Sequence, residues 1–440
     1  MTLPRYPSYK DSGVEWLGEV PGHWEVKTLK RLAKLTTGMT PPTDDPENYS
    51  DDDQLQWIRP EDLDETGAPT SATKFLSKKG WEQARQIKAG ATLICCIGTI
   101  GKLGFIAEDA STNQQLTAAE FERSNRYFFF AMCAGRTPFE VASTGNVLRI
   151  LNTERLGNIP FPCPSEVEAT QIATFLDRET AKIDALVAEQ RRLMALLKEK
   201  RQAVISHAVT RGLNPDAPLK PSGIEWLGDV PAHWLVTPLG ILADQIQTGP
   251  FGSQLHSSDY IDDGTPVINP SNIQGGKLIA DSSCTVDLKI VERLSQHKLE
   301  LGDIVFGRRG EMGRCAMVTE ESIGWLCGTG SLNVRLSSKI TPSFVSTYLG
   351  TDYVRELLQL ESVGSTMDNL NTQILSGIPV PTPPLKEQQQ ISQYLAMQTD
   401  RFDTLTTAAQ RAIDLLQERR TALISAAITG QIDVRSAVAS

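Results

Sequence analysis

Two stretches of the chain repeat apolar residues at the alternating three- and four-residue steps of a helix face. Ile172, Leu176, Ile183, Leu186, Leu193, Leu197 and Val204 form the first row, and Ile391, Leu395, Phe402, Leu405, Ala412, Leu416 and Leu423 hold the equivalent places in the second. That spacing predicts the seam of a coiled coil. Each helix is expected to start after a proline-rich segment, IPFPCP at 159–164 and IPVPTP at 378–383, and Ser165 with Glu168 makes a capping box on the first. A helix of about 40 to 45 residues would be roughly 60 to 68 Å long, more than an ordinary globular helix. Its apolar stripe needs a partner, and the nearest candidate is its own copy, packed antiparallel. Glu179, Gln190 and Lys200 interrupt the first seam, and Gln398, Ala409 and Arg419 the second.

The helices belong to a larger duplication. Ser12 to Trp24 reads SGVEWLGEVPGHW and Ser222 to Trp234 reads SGIEWLGDVPAHW, thirteen positions that differ only by Val/Ile, Glu/Asp and Gly/Ala. Between this motif and the proline-rich entry, each half holds a more divergent segment with strand-like apolar runs. KAGATLICCIGTIGKLGFIAE (88–108) aligns with ELGDIVFGRRGEMGRCAMVTE (300–320), and GNVLRILNT (145–153) with GSTMDNLNT (364–372). The expected fold is α+β, two mixed α/β domains joined by two long antiparallel helices in a pseudo-two-fold internal repeat. The expected divisions are 1–158, with the opening motif in 9–38; 159–212 for the first helix; 213–377, with the motif copy in 219–249; and 378–440 for the second helix and tail.

Composition narrows the class. At 440 residues, 40% hydrophobic and 22% charged, the chain exceeds what one core organises. No window is apolar enough for a membrane span, and MTLPRYPSYKD lacks the apolar core of a signal peptide, so the cytoplasm is the expected address and no membrane partner is expected. The seven cysteines make no Cys-x-x-Cys pair and the five histidines are scattered, so no metal site is expected. A net charge of -10 counts against binding nucleic acid. Binding depends, however, on the local field at one face, and acidic residues elsewhere can carry the excess.

The opening YKDSGVEWLGEVP, the segments TGMTP (37–41) and WIRPEDL (57–63), their counterparts TGPFGSQL (248–255) and PVINPSNI (266–273), and Glu387-Gln388 after the second proline-rich entry resemble the specificity subunits of type I restriction-modification systems. The first half departs with Glu168-Ala169, which touches helix capping rather than recognition. The resemblance covers nearly the whole chain. It implies that each divergent segment is a target recognition domain reading one half of a split sequence in double-stranded DNA. It also implies that the paired helices set the spacing between the halves and dock two modification subunits, with restriction subunits able to join. S-adenosylmethionine would be bound by the modification subunit, and this chain would hold no cofactor. Because the two domains differ, the target should be asymmetric.

Reading base edges requires forked donors and acceptors. The candidates are Thr40, Arg59, Lys102, Asn113, Gln114, Gln115, Asn146 and Arg149 in the first domain, and Ser253, Gln254, Asn269, Asn272, Arg308, Arg309, Arg314, Asn333 and Asn369 in the second. Arg308 and Arg309 stand out, since they abut Gly307 and Gly310 after an apolar run and take the places that Cys96 and Ile97 hold in the first half. Asn152 and Asn371, identical in the two halves, are expected to make a structural turn or a helix cap. Trp16, Trp24, Trp226 and Trp234 are expected to pack the scaffold.

No catalytic motif is expected in the chain. Asn269-Pro270-Ser271-Asn272 lacks the second proline and aromatic of an adenine methyltransferase, and Asp287-Leu288-Lys289 has no Pro-Asp before it to complete a nuclease. Three alternatives stay open: a specificity module of a related restriction or phage-defence methyltransferase system, a self-contained DNA-modifying enzyme with an unrecognised site, and an adaptor joining two protein-binding domains.

Overall fold

The computed structural model describes residues 3–52, 54–145, 148–310, 313–362 and 370–437. They form two compact units, Met1–Arg192 with Ala409–Ser440, and Leu193–Ala408. Both long helices are present: α1 is Glu166–Arg211, 46 residues, and α2 is Leu385–Ile428, 44 residues. At 1.5 Å per residue they measure about 69 and 66 Å. The boundary between the units falls inside both helices, so each unit owns one half of each.

In the first unit the strands that frame the recognition loops are β1 (Ala33–Thr37), β2 (Trp57–Ile58), β3 (Thr92–Cys95), β4 (Leu103–Phe105), β5 (Ala110–Thr112) and β6 (Leu116–Phe121), alongside shorter two-stranded pairings. The central antiparallel sheet has the order β4-β3-β6-β1, and beside it β5 runs parallel to β2. The second unit repeats this plan with β7 (Ala243–Thr248), β8 (Thr265–Ile268), β9 (Ile304–Gly307), β10 (Cys315–Met317), β11 (Leu326–Cys327) and β12 (Ser331–Leu336). Its antiparallel order is β10-β9-β12-β7, and β11 runs parallel to β8. Strands β3 and β9 are buried at every residue. Cover on both faces explains why they read as unbroken apolar runs rather than alternating ones.

Each core joins sheet, opening motif and both long helices. In the first unit Trp24, Phe129 and Phe161 pack in one cluster with Ile172 and Leu176 from the start of α1 and Ile424, Ala427 and Ile428 from the end of α2. In the second, Trp234, Phe344 and Tyr348 pack with Ala208 and Val209 from the end of α1 and Ile391 and Leu395 from the start of α2. Within either unit the helices therefore run antiparallel. Asp184 pairs with Arg420 at 3.0 Å in the first unit, and Arg201 with Asp403 at 3.0 Å in the second.

The seam departs from its expected course. Leu186 is 52% exposed, and Leu193 and Leu405 are also in solvent, whereas Val187, Ala409 and Ile413 are buried. A straight helix drifts relative to a strict heptad, so after Ile183 the inward face is regained by a step of four rather than three. Ala409, expected to interrupt the seam, is buried within it.

The opening motif grips two helix ends. His23 Nε2 lies 2.9 Å from Glu168 Oε2 at the start of α1, and His233 Nε2 lies 2.7 Å from Glu387 Oε2 at the start of α2. The neighbouring tryptophans meet the other helix where it stops. A Cβ on Gly212 would lie 3.1 Å from Trp234, and one on Gly430 would lie 3.3 Å from Trp24 and 2.3 Å from Pro21. Both glycines turn the chain out of a helix at positive φ, +75° and +74°. The Glu-Gln difference also has a local cause. Gln388 is buried, accepting from the Thr341 amide at 2.7 Å and donating to the Pro383 carbonyl at 2.8 Å, where the first unit has Ala169. Among the described residues, no helix is long and apolar enough to cross a membrane.

Candidate nucleic-acid interface

Two short turns in each unit frame the nominated residues. The first follows β2 or β8. In Pro60–Asp62 the Asp62 carboxylate accepts from the Arg59 amide at 2.9 Å, and in Pro270–Asn272 the Asn272 side chain accepts from the Asn269 amide at 3.0 Å. After β3 a second turn carries left-handed glycines at both ends, Gly98 and Gly101 at φ +85° and +77°; after β9, Gly310 and Gly313 are likewise left-handed, at +81° and +76°. A cation just beyond ties the two turns together: Lys102 Nζ donates to the Pro60 carbonyl at 2.7 Å, and Arg314 Nη1 to the Pro270 carbonyl at 3.2 Å. Lys102 and Arg314 thus occupy one role in both units, that of a lock within the loop framework.

Other nominated side chains are also engaged internally. Asn272 and Asn333 are buried. Asn272 Nδ2 donates to the Ile279 carbonyl at 2.9 Å. Asn333 lies on β12, and its Nδ2 donates to Asp303 Oδ2 at 2.9 Å, a carboxylate also held by Arg335 at 2.8 Å. The hydrogen bond and charge of buried Asp303 raise the Arg335 pKa. Sequence reading missed this network because its members are some thirty residues apart. Asn113 is at the edge of burial, its Nδ2 donating to Gln115 Oε1 at 2.9 Å. Arg59 pairs with Glu61 at 2.7 Å, donates to Thr73 at 3.0 Å and lies over Trp57. Asn269 Nδ2 donates to Cys284 Sγ at 3.1 Å.

The side chains left facing solvent form a smaller set. In the first unit Thr40 donates to exposed Gln114, and Arg149 is exposed. In the second, Gln254 is exposed in the turn Gly252–Gln254, and its Oε1 accepts from the Phe251 amide at 3.0 Å; Ser253 belongs to the same turn, and its side chain lies outside the described ones. Arg308 is half-buried and Arg309 exposed. Asn146 and Asn369 lie outside the described residues. Phe251 was missed by sequence reading: it is exposed, and the Arg308 guanidinium carbon lies over its ring, 4.9 Å from the ring centre. An aromatic between proline and glycine, in a loop copied from the other half without an aromatic there, was the available signal.

The backbone equivalence of Cys96 and Arg308 is close. The Cys96 amide donates to Gln115 and its carbonyl accepts from Leu151, each at 2.8 Å; the Arg308 amide donates to Gly330 at 2.9 Å and its carbonyl accepts from Leu370 at 3.1 Å. Burial pushes the Cys96 thiol up to about 11, keeping it a neutral core group, while its counterpart is a cation. Among the described residues, no group of three or more His, Cys, Asp or Glu is placed to hold a metal ion.

One α+β scaffold built twice, with the same locks and caps but different side chains at its loop tips, defines a protein of two related recognition modules sharing a pair of long helices. The family model described as the type I restriction modification DNA specificity domain matches residues 21–193 and 247–414, and the chain belongs to that family. Its place there is that of a specificity subunit concerned with DNA sequence recognition. It is 22% identical to the type I restriction enzyme EcoBI specificity subunit of Escherichia coli, over 96% of this chain and 89% of that one. It is 21% identical to the EcoKI specificity subunit of Escherichia coli strain K12, over 94% and 90%. Among solved structures, one from work on complex assembly and conformational transition of the type I R-M system matches with a TM-score of 0.66 and 18% identity, over 93% of this chain and 98% of that chain. The HsdS subunit from Thermoanaerobacter tengcongensis matches with a TM-score of 0.52 and 16% identity, over 94% and 98%. These likenesses establish the fold.

Proposed function

We propose that each unit of this chain reads one half of an asymmetric, bipartite sequence in double-stranded DNA. The chain does so as the non-catalytic member of a complex with two modification subunits, which bring S-adenosylmethionine and methylate adenine; restriction subunits join the same assembly. The observation that carries this reading is the pairing of Cys96 with Arg308. One backbone register, held by duplicated locks, presents unlike side chains, as two readers of unlike half-sites require.

The test is a map of methylated adenines in cells carrying this chain with its modification subunit. A single two-part motif with unlike halves is expected, vanishing when the chain is deleted. A one-part or symmetric motif, or purified chain that methylates or cuts DNA alone, overturns the proposal.

A further inference from the structure

Resting on that reading of the second unit, we propose that Arg308, backed by Phe251, selects a guanine in the second half-site, while Arg309 binds the phosphate backbone beside it. The Arg308 guanidinium is held on two sides. Its Nε donates to the Leu370 carbonyl at 3.1 Å, and its guanidinium carbon lies over the Phe251 ring, 4.9 Å from the ring centre. Pinning Nε fixes the plane of the group and leaves the two terminal nitrogens as a fork. Among the described residues these two nitrogens have no hydrogen-bond partner, and neither Arg308 nor Arg309 has a carboxylate partner.

Burial, followed by the neighbouring charge of Arg309, lowers the Arg308 pKa, so the free protein keeps this cation at a cost that an incoming acceptor would relieve. A fixed fork of parallel N–H donors matches O6 and N7 of guanine in the major groove, the commonest specific contact between arginine and a base. Arg309 is exposed and has neither hold, which suits a phosphate contact that positions without specifying. Phe251 is 51% exposed in a polar loop, where an unsupported aromatic gains little. Its service is to hold the cation over its ring, a cation–π contact that strengthens as water is excluded. The first unit has Cys96 and Ile97 at the two arginine positions, so the preference belongs to the second half-site alone.

The experiment compares methylated-adenine maps, and DNA-binding titrations against salt, of the assembled complex for the wild-type chain, Arg308→Lys, Phe251→Leu and Arg309→Gln. Arg308→Lys keeps the charge and removes the fork. Discrimination at one G·C pair of the second half-site is expected to fall about ten- to a hundredfold, with the first half unchanged. Phe251→Leu leaves the arginine in place and should weaken selection at the same pair, by less. Arg309→Gln should weaken binding to all sequences alike and reduce the salt slope by about one, without altering the motif. A wild-type second half-site without a G·C pair overturns the proposal, as does an Arg308→Lys map that keeps full selectivity at every position or changes the first half. If Arg308→Lys abolishes methylation altogether, Phe251→Leu decides: it must relax a single G·C pair, and failure to do so is equally fatal. Should the wild-type chain direct no bipartite methylation at all, it is the recognition function that fails instead.

Discussion

At the scale of single residues, what the sequence disclosed was local. Asn152 and Asn371 were legible as helix caps because an N-cap is defined within three positions, and each side chain accepts from the amide three residues on, at 2.8 and 2.9 Å. Replacing either by Ala is expected to cost about 0.5–2 kcal/mol in thermal or urea melts while leaving the DNA motif unchanged. Asn333 was not legible in this way, since its commitment to Asp303 is made across a sheet. His297 likewise acquires its character from tertiary burial, which lowers its pKa below the usual histidine value. The unfolded chain then takes up a proton that the folded one resists. Stability should fall as pH drops through about 6.5 and level off below the folded pKa. Melts of His297→Gln against pH should lack that loss, and an unchanged slope would show that burial at this position does not govern it.

At the scale of elements, the existence and extent of α1 and α2 could be read from periodicity, whereas the side they turn inward could not. Leu186 and Val187 are both apolar, and only the packed partner decides between them. The opening motif is the opposite case. Its near-identity in the two halves follows from geometry, because each copy must clamp the start of one long helix through His23 or His233 and seat the end of the other against Trp24 or Trp234. Gly430→Ala should therefore destabilise the first unit by roughly 1–3 kcal/mol, since it combines a left-handed backbone with a Cβ 2.3 Å from Pro21. Gly377→Ala, where a Cβ meets nothing within 4 Å, is the matched control and should be near neutral. Inserting a few residues in the middle of α1 is expected to change the gap between half-sites in the methylation map and leave each half intact.

At the scale of the whole molecule, the duplication made the α+β plan legible before any contact was known, while net charge pointed away from DNA. With a formal charge of -10, the isolated chain is expected to bind DNA weakly and with a shallow salt slope, the steep dependence arriving with the modification subunits. Titrations of the lone chain and of the complex against salt would separate the two contributions. The division of the chain also bears on how the protein is made. Leu193–Ala408 is one continuous stretch, but the first unit needs Ile424, Ala427, Ile428 and Val434 to complete the cluster around Trp24 and Tyr6. On the ribosome, then, the part synthesised first is finished last. Its apolar face must wait, uncovered and prone to aggregation, through the translation of more than two hundred further residues.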